Sequence, residues 1–399
     1  MRDVMGPRTM LGYCTNVHAG RTLAEVKANL ERHACAVKAI VSPKEPMGVG
    51  LWLSAKTLRE VMDDNLDRRR DNMLALREWL GERGLSVFTM NGFPYGDFHG
   101  EVVKHRVYRP AWSSGQRLHY TCELAILLAN LLPEGGEGSI STLPVAWGEN
   151  PKPGWADRLE QMAGVLEEVE KNTGKRIHLD LEPEPGCMLT TSFDVMALLV
   201  SLRMSPQPEL LQRYLGICLD VCHQAVMFER PGDLVEAVRA SGFRIGKVQL
   251  SSAVRAVFKN KPAEQKRAIK AQLAAFDEPR YLHQTVLGSR EGAQFKAMYD
   301  DLPEALAAER GPGAGEWRVH FHVPLHVAEF GALGTTQANV VEVLKALRPE
   351  DGVRHFEVET YAWDVLPEGL REPVLAEGIA KEMQWVTEQA CGLGLSSRG

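Results

Sequence analysis

Four apolar stretches of this 399-residue chain finish on residues that can hold cations or carry protons. In HLDLEP, strand alternation puts His178, Asp180 and Glu182 on one face, with Glu182 at the C-terminal end. The run in GICLDVCH stops at Asp220, and His223 follows three residues later. GKVQLSS offers Gln249 at the matching place, and HFEVETYAW offers Glu359 with Glu357 two residues behind it. Burying an unpaired carboxylate is costly, so an acid ending a buried strand meets water, a partner or a metal. Alone, each reads more simply as a helix cap or ion-pair partner; four at matched positions on consecutive strands read as a site. Three carboxylates around one mouth raise one another's pKa and need a counter-charge. A divalent cation held by Glu182, Asp220, Gln249 and Glu359 supplies it. Oxygen donors favour Mn²⁺ or Mg²⁺, and a nearby His shifts the choice towards Mn²⁺, Co²⁺, Fe²⁺ or Zn²⁺. Asp180 and Glu357, one step deeper, are expected to be partners inside the barrel.

The remaining polar candidates sit where the same mouth would be. His18 ends the first strand, His99 lies in the loop after the third, and Asn91 and Trp147 end strands three and four. Glu184 follows in EPEP, and in VHFHVPLH the alternation predicts His320 and His322 on one strand face. These residues are candidate substrate contacts, with His223 and His322 as catalytic candidates.

The elements that must position them alternate. Strand-like runs are LGYCTNVH (11–18), VGLWLS (49–54), SVFTMNGFP (86–94), GSISTLPVAW (138–147), RIHLDLEP (176–183), YLGICLDVCH (214–223), RIGKVQLSS (244–252) and HFEVETYAW (355–363). Between them, segments such as TLREVMDDNLDRRRDNMLALREWLGERG carry apolar residues at spacings of three and four, as one buried helix face requires. Gly84 and Gly174 close two of these helices. Continuous apolar strands separated by helices imply a parallel sheet covered on both faces. Eight of them predict a single-domain (β/α)8 TIM barrel over residues 1–399, an α/β fold whose active site lies at the C-terminal strand ends. An open doubly wound sheet is the alternative, but no G-x-G-x-x-G follows the first strand. Two insertions are expected: an aromatic- and His-rich loop at 95–120, and residues 253–326. The second carries a cationic helix and an added strand pair, YLHQTV (281–286) and WRVHFHVPLH (317–326), between strands seven and eight.

Composition excludes some function classes. The chain is 44% hydrophobic and 25% charged, as soluble globular proteins are. Its formal net charge of -6 and pI near 6.1 argue against a dedicated nucleic-acid binder. No apolar run reaches the roughly 18 to 20 residues of a membrane span, and the N-terminus has no signal-peptide core. Seven scattered cysteines without a C-x-x-C pair exclude a zinc knuckle and fit a reducing compartment. The expected setting is cytoplasmic.

Glu182, Asp220, Gln249 and Glu359, with His223 completing D-x-x-H, resemble by strand and order the xylose-isomerase-like sugar isomerase/epimerase barrels. In that superfamily the ligands look like Glu, Asp, His or Gln, and Glu; Gln249 departs from the commoner His but matches the inosose-dehydratase branch. The stretches LGYCTNVHAG, TLPVAW, HLDLEPEPGC, GICLDVCHQAV and VHFHVPL, spread over most of the chain, are similar to the metabolite traffic protein EboE family. That resemblance implies a role in making or exporting secondary metabolites and names no substrate.

The expectation is a metal-dependent isomerase or epimerase, or a related lyase, acting through an enediolate on a sugar-like or polyhydroxylated small molecule. Glu182 and Glu359 would exchange the proton, His223 would orient a hydroxyl and His322 would help close the pocket. A non-catalytic metabolite carrier is the alternative from another class. A metal-dependent phosphodiesterase of the endonuclease IV type is a third, which would want more His ligands and a basic groove.

Overall fold

The computed structural model describes residues 9–289, 294–308 and 315–393. Eight strands form one parallel sheet: β1 (Met10–Tyr13), β2 (Met47–Leu51), β3 (Leu85–Asn91), β4 (Glu137–Thr142), β5 (Arg176–Leu181), β6 (Leu215–Asp220), β7 (Arg244–Leu250) and a last strand, His355–Val358. Five of the seven neighbour pairs join strands consecutive in the chain between β2 and β7, and the last strand lies between β7 and β1. A parallel bridge between Cys14 and Gly50 joins the β1 and β2 edges, so the sheet curls into a barrel. Helices such as Trp155–Thr173, closed by Gly174 at φ +67°, cover the outside.

The barrel interior below the mouth is polar and filled. Lys247 and Glu357, both fully buried, form an ion pair across β7 and the last strand. His178 Nδ1 contacts Asp180 at 2.9 Å, and His355 Nδ1 contacts Ser139 Oγ at 2.9 Å. Glycine makes room for these groups. A Cβ on Gly50 would stand 1.3 Å from Glu357 Oε1, and one on Gly246 2.0 Å from Asp180 Oδ1. Asp180 and Glu357 thus lie inside the barrel, as their step back from the strand ends requires.

Three local expectations change. The helix read through residues 57–84 is two, Ala55–Val61 and Leu66–Glu82. Asn65 interrupts it, because its side chain accepts from Arg68 N and caps a new helix start. The 95–120 loop is shorter than expected. It contains a 3-10 turn, Lys104–Tyr108, and gives way at Gly115 to the helix Gly115–Leu131.

The third change is the larger insertion, which builds a whole sheet rather than a strand pair. Its strands are β8 (Val254–Val257), β9 (Thr285–Ser289), β10 (Gln294–Tyr299), β11 (Glu316–Val319), β12 (Glu329–Phe330) and β13 (Leu333–Thr335), in the antiparallel order β10-β9-β11-β8-β13-β12. The insertion runs on past residue 326, and the last barrel strand becomes β14. His320 and His322 do not share a strand, because β11 ends at Val319. They lie in the extended segment that leads from this sheet back over the barrel mouth.

Candidate active site

Register explains why the acids converge. Asp220 on β6 pairs with Gln249 on β7, which pairs with Glu357 on β14. Glu359 lies two residues beyond Glu357, and Glu182 one residue beyond the end of β5, so both reach the C-terminal rim. One oxygen each of Glu182, Asp220 and Glu359 lies within 4.8 Å of the others. All three side chains are buried.

The three acids are held to different degrees. Asp220 Oδ1 accepts from Ser251 Oγ at 2.8 Å and from His223 N at 2.9 Å, capping the short helix Val221–Val226. Asp220 Oδ2 has no hydrogen-bond partner, and neither has Glu182 Oε2. Glu359 Oε1 accepts from Asn16 Nδ2 at 2.8 Å and Asn91 Nδ2 at 3.1 Å, and its Oε2 meets Gln249 Nε2. Gln249 therefore stands at the cluster but turns its NH₂ towards it, while its Oε1 faces Cys218 Sγ. A half-turn of that amide presents the oxygen to the same space.

The charge balance favours a cation. Burial, then Glu359 and Asp220, push Glu182 well above the usual carboxylate range. Burial, then Asp220 and Glu357, push Glu359 up to about 8. The nearest cationic side chain, Lys247, is already paired with Glu357 one layer down. Two unpartnered carboxylate oxygens and an unpartnered imidazole nitrogen, His322 Nε2, sit in the same buried region. Buried polar atoms without partners are rare and call for an ion or water. The donor set of carboxylates, an amide and imidazole fits a divalent cation.

Above the acids opens a cleft of about 530 Å³, mouth included. Asn16, Asn91, Glu182, Glu184, His223, His320, His322 and Glu359 line its polar end, and Phe93, Phe98, Tyr108, Tyr281 and Tyr361 its aromatic wall. Glu184 accepts from Tyr108 Oη at 2.7 Å and Gln284 Nε2 at 3.0 Å. Burial, then the neighbouring imidazole of His223, depress His320 well below the usual histidine range. Burial also takes His322 down to about 4, although Asp220 pulls the other way.

Three expected contacts stand behind the walls instead. His18 Nε2 meets Tyr13 Oη at 2.8 Å, and its ring stacks on His33. His99 Nε2 meets the Asn16 carbonyl at 2.5 Å and holds the loop that carries Asn16. Trp147 packs on Tyr108 and His105, which buttresses the aromatic wall. Each lies beyond a strand end, where the turn geometry that aims a side chain is not written in strand alternation. The sequence reading missed Asn16, Tyr108, Gln284 and Tyr361. Asn16 and Tyr361 lie two residues from His18 and Glu359, so their position near strand ends was the available signal.

No family model and no curated protein matches the sequence. Among solved structures, the chain is similar to a xylose isomerase-like TIM barrel protein from Mycobacterium smegmatis in complex with magnesium, at 10% identity and TM-score 0.49, covering 96% of this chain and 97% of that one. A D-tagatose 3-epimerase-like protein is similar at 13% identity and TM-score 0.45, covering 96% and 98%. The IOLI protein with a binding zinc atom is similar at 12% identity and TM-score 0.45, covering 96% and 98%. At such identities the likeness is one of fold. The narrower resemblance to the EboE family rests on the sequence stretches alone. No helix among the described residues is long and apolar enough to cross a membrane.

Proposed function

We propose that this chain is a divalent-cation-dependent isomerase or epimerase, or a lyase working through the same enediolate, acting on a polyhydroxylated small molecule in the cytoplasm. The observation that carries the proposal is the set of buried, unpartnered donor atoms on Glu182, Asp220 and His322, of which Glu182 and His322 line the cleft. Glu182, Asp220 and Glu359 would hold the cation, with Gln249 beside them. The cation would neutralise the acids and stabilise negative charge on adjacent substrate oxygens as a C–H proton leaves.

The side chains do the rest. Glu182 and Glu359 come from strands on different sides of the mouth, so one takes a proton from one face of the substrate and the other returns it. Asn16 and Asn91 keep the Glu359 carboxylate aimed into the cleft. His223, whose Nδ1 contacts the Pro183 carbonyl at 2.9 Å, turns Nε2 to the cleft to orient a hydroxyl. The aromatic wall excludes water from the reacting end. The resemblance to the EboE family suggests a secondary-metabolite pathway.

The test is solvent exchange. Protein reconstituted with Mn²⁺ is incubated in D₂O with a panel of aldoses, ketoses and cyclitols, and carbon-bound deuterium is read by mass spectrometry. Cation-dependent deuterium uptake that Glu182→Gln and Glu359→Gln abolish supports the enzyme. Ligand binding that persists in both variants, with no uptake in the wild type, supports a metabolite carrier instead.

One observation favours the phosphodiesterase reading: three histidines, His223, His320 and His322, do converge on the cleft. The net charge of -6 still opposes a nucleic-acid substrate. Cation-dependent hydrolysis of bis(p-nitrophenyl) phosphate, without deuterium uptake from any sugar, would turn the assignment that way.

A further inference from the structure

The C-terminal helix, Leu375–Gly392, turns an apolar face inward, built from Ala376, Ile379, Ala380, Met383 and Val386. Glu382 interrupts that face and is 0% exposed. No cation among the described residues balances it; burial and hydrogen bonds alone act on its charge. An acid in an apolar face is costly unless its oxygens are hydrogen-bonded, and a leucine would pack there without that cost. Glu382 does not line the cleft, but its bonds lead there.

Glu382 Oε1 accepts from Leu325 N at 3.0 Å and from Thr360 Oγ1 at 2.6 Å. Thr360 directly follows Glu359, and Leu325 lies three residues after His322. His322 Nδ1 in turn donates to the Glu359 carbonyl at 2.6 Å. These bonds close a loop from the helix through Thr360 and Glu359 to His322, and through Leu325 back to the helix. Both segments also hang from the end of β7: Glu359 N donates to the Leu250 carbonyl at 3.0 Å, and Val323 N to the Ser252 carbonyl at 2.9 Å. Glu382 is a second anchor that the two segments share. One carboxyl oxygen accepts both donors whether or not the other oxygen carries a proton. A leucine would leave Leu325 N and the Thr360 hydroxyl without this partner, and segments that relax to satisfy them carry Glu359 and His322 along.

We propose that Glu382 is a positioning residue, which fixes the Glu359 carboxylate and the His322 imidazole relative to each other without touching cation or substrate. The inference rests on the cation-dependent reading above. Groups that support metal ligands from behind typically account for about 10- to 100-fold in affinity. A clasp on two backbone segments belongs at the lower end of that range.

Manganese titration followed by electron paramagnetic resonance tests it, with Mn²⁺ alone as the probe. Glu382→Leu is expected to weaken Mn²⁺ binding about tenfold with unchanged circular dichroism. Glu382→Gln, which keeps the acceptor oxygen, is expected to stay within about twofold of wild type. Thr360→Val, which removes one donor and spares the helix, should show a smaller loss in the same direction. The effect should pass through Glu359. In a Glu359→Gln background, Glu382→Leu should change the affinity less than about twofold; in a Glu182→Gln background it should keep its loss of about tenfold. Should Glu382→Leu fail to fold, Thr360→Val in the same two backgrounds carries the test. Equal losses in the two backgrounds mean a general loosening of the barrel and overturn the positioning role. Wild-type affinity in both Glu382→Leu and Thr360→Val also overturns it and leaves the cation-dependent reading standing. A loss in Glu382→Gln as large as in Glu382→Leu overturns the hydrogen-bond argument. No Mn²⁺ bound by the wild type overturns the cation-dependent reading itself, and this proposal with it.

Discussion

Metal-stripped protein should lose stability relative to its Glu359→Gln variant as pH rises from 6.5 to 8. Glu359 is pushed up to about 8 when no cation is present, against about 4.3 for an unfolded Glu. Between those values the folded state holds a proton that the unfolded state has released. Stability therefore falls with pH, by about 1.4 kcal/mol per unit and roughly 2 kcal/mol over this window. Glu182 shifts in the same direction. Glu382, pushed up to about 7 by burial, adds to the fall in its lower part. The depressed histidines, among them His18 at about 3 and His322 at about 4, act oppositely, and each still adds about 0.4 kcal/mol between the unfolded value near 6.5 and pH 8. Comparison with Glu359→Gln, which keeps these histidines, removes their contribution. The assay is thermal unfolding by circular dichroism at half-unit pH steps, in EDTA and in excess Mn²⁺. The expected fall in Tm for stripped protein, relative to Glu359→Gln, is on the order of a few degrees. Mn²⁺ should reverse it, because a bound cation keeps the carboxylates ionised. A Tm in EDTA that changes with pH identically in wild type and Glu359→Gln would refute the electrostatic argument.

Other consequences concern the barrel floor and the groups that aim Glu359. Gly50→Ala places a methyl against Glu357 and should cost about 3 kcal/mol or more in urea unfolding; a neutral result would show that the ion pair beneath the mouth moves freely. Lys247→Met leaves Glu357 buried without its partner and should cost about 3–5 kcal/mol. Lys247→Met with Glu357→Gln should recover much of that loss, measured by the same unfolding. Asn16→Ala removes a donor to Glu359 and should weaken Mn²⁺ binding about 10- to 100-fold by calorimetry; unchanged affinity would mean that Glu359 needs no such support.

The barrel was legible because its strands are continuous apolar runs between helix-period segments, and because parallel register carries strand ends to one rim. That logic reaches Glu182, Asp220 and Glu359, which sit on or one residue past a strand. It fails for the inserted sheet. There strands of two to six residues pair with segments far away in sequence, such as Val319 with Thr285 and Val254. Nothing local in VHFHVPLH reveals that the strand stops at Val319 or that His320 meets His223. Gln249 was read for its position, and its amide orientation depends on Glu359 and Cys218. His18, His99 and Trp147 show the same limit, since turn geometry and tertiary packing decide where residues beyond a strand end point.

The central claim is that Glu182, Asp220 and Glu359 hold a divalent cation at the floor of the cleft. Anomalous scattering from a crystal of the protein soaked in Mn²⁺ tests it most directly. The account predicts a peak within bonding distance of Glu182, Asp220 and Glu359, lost in Asp220→Asn. No peak among these three carboxylates at saturating Mn²⁺, in well-folded protein, would contradict it.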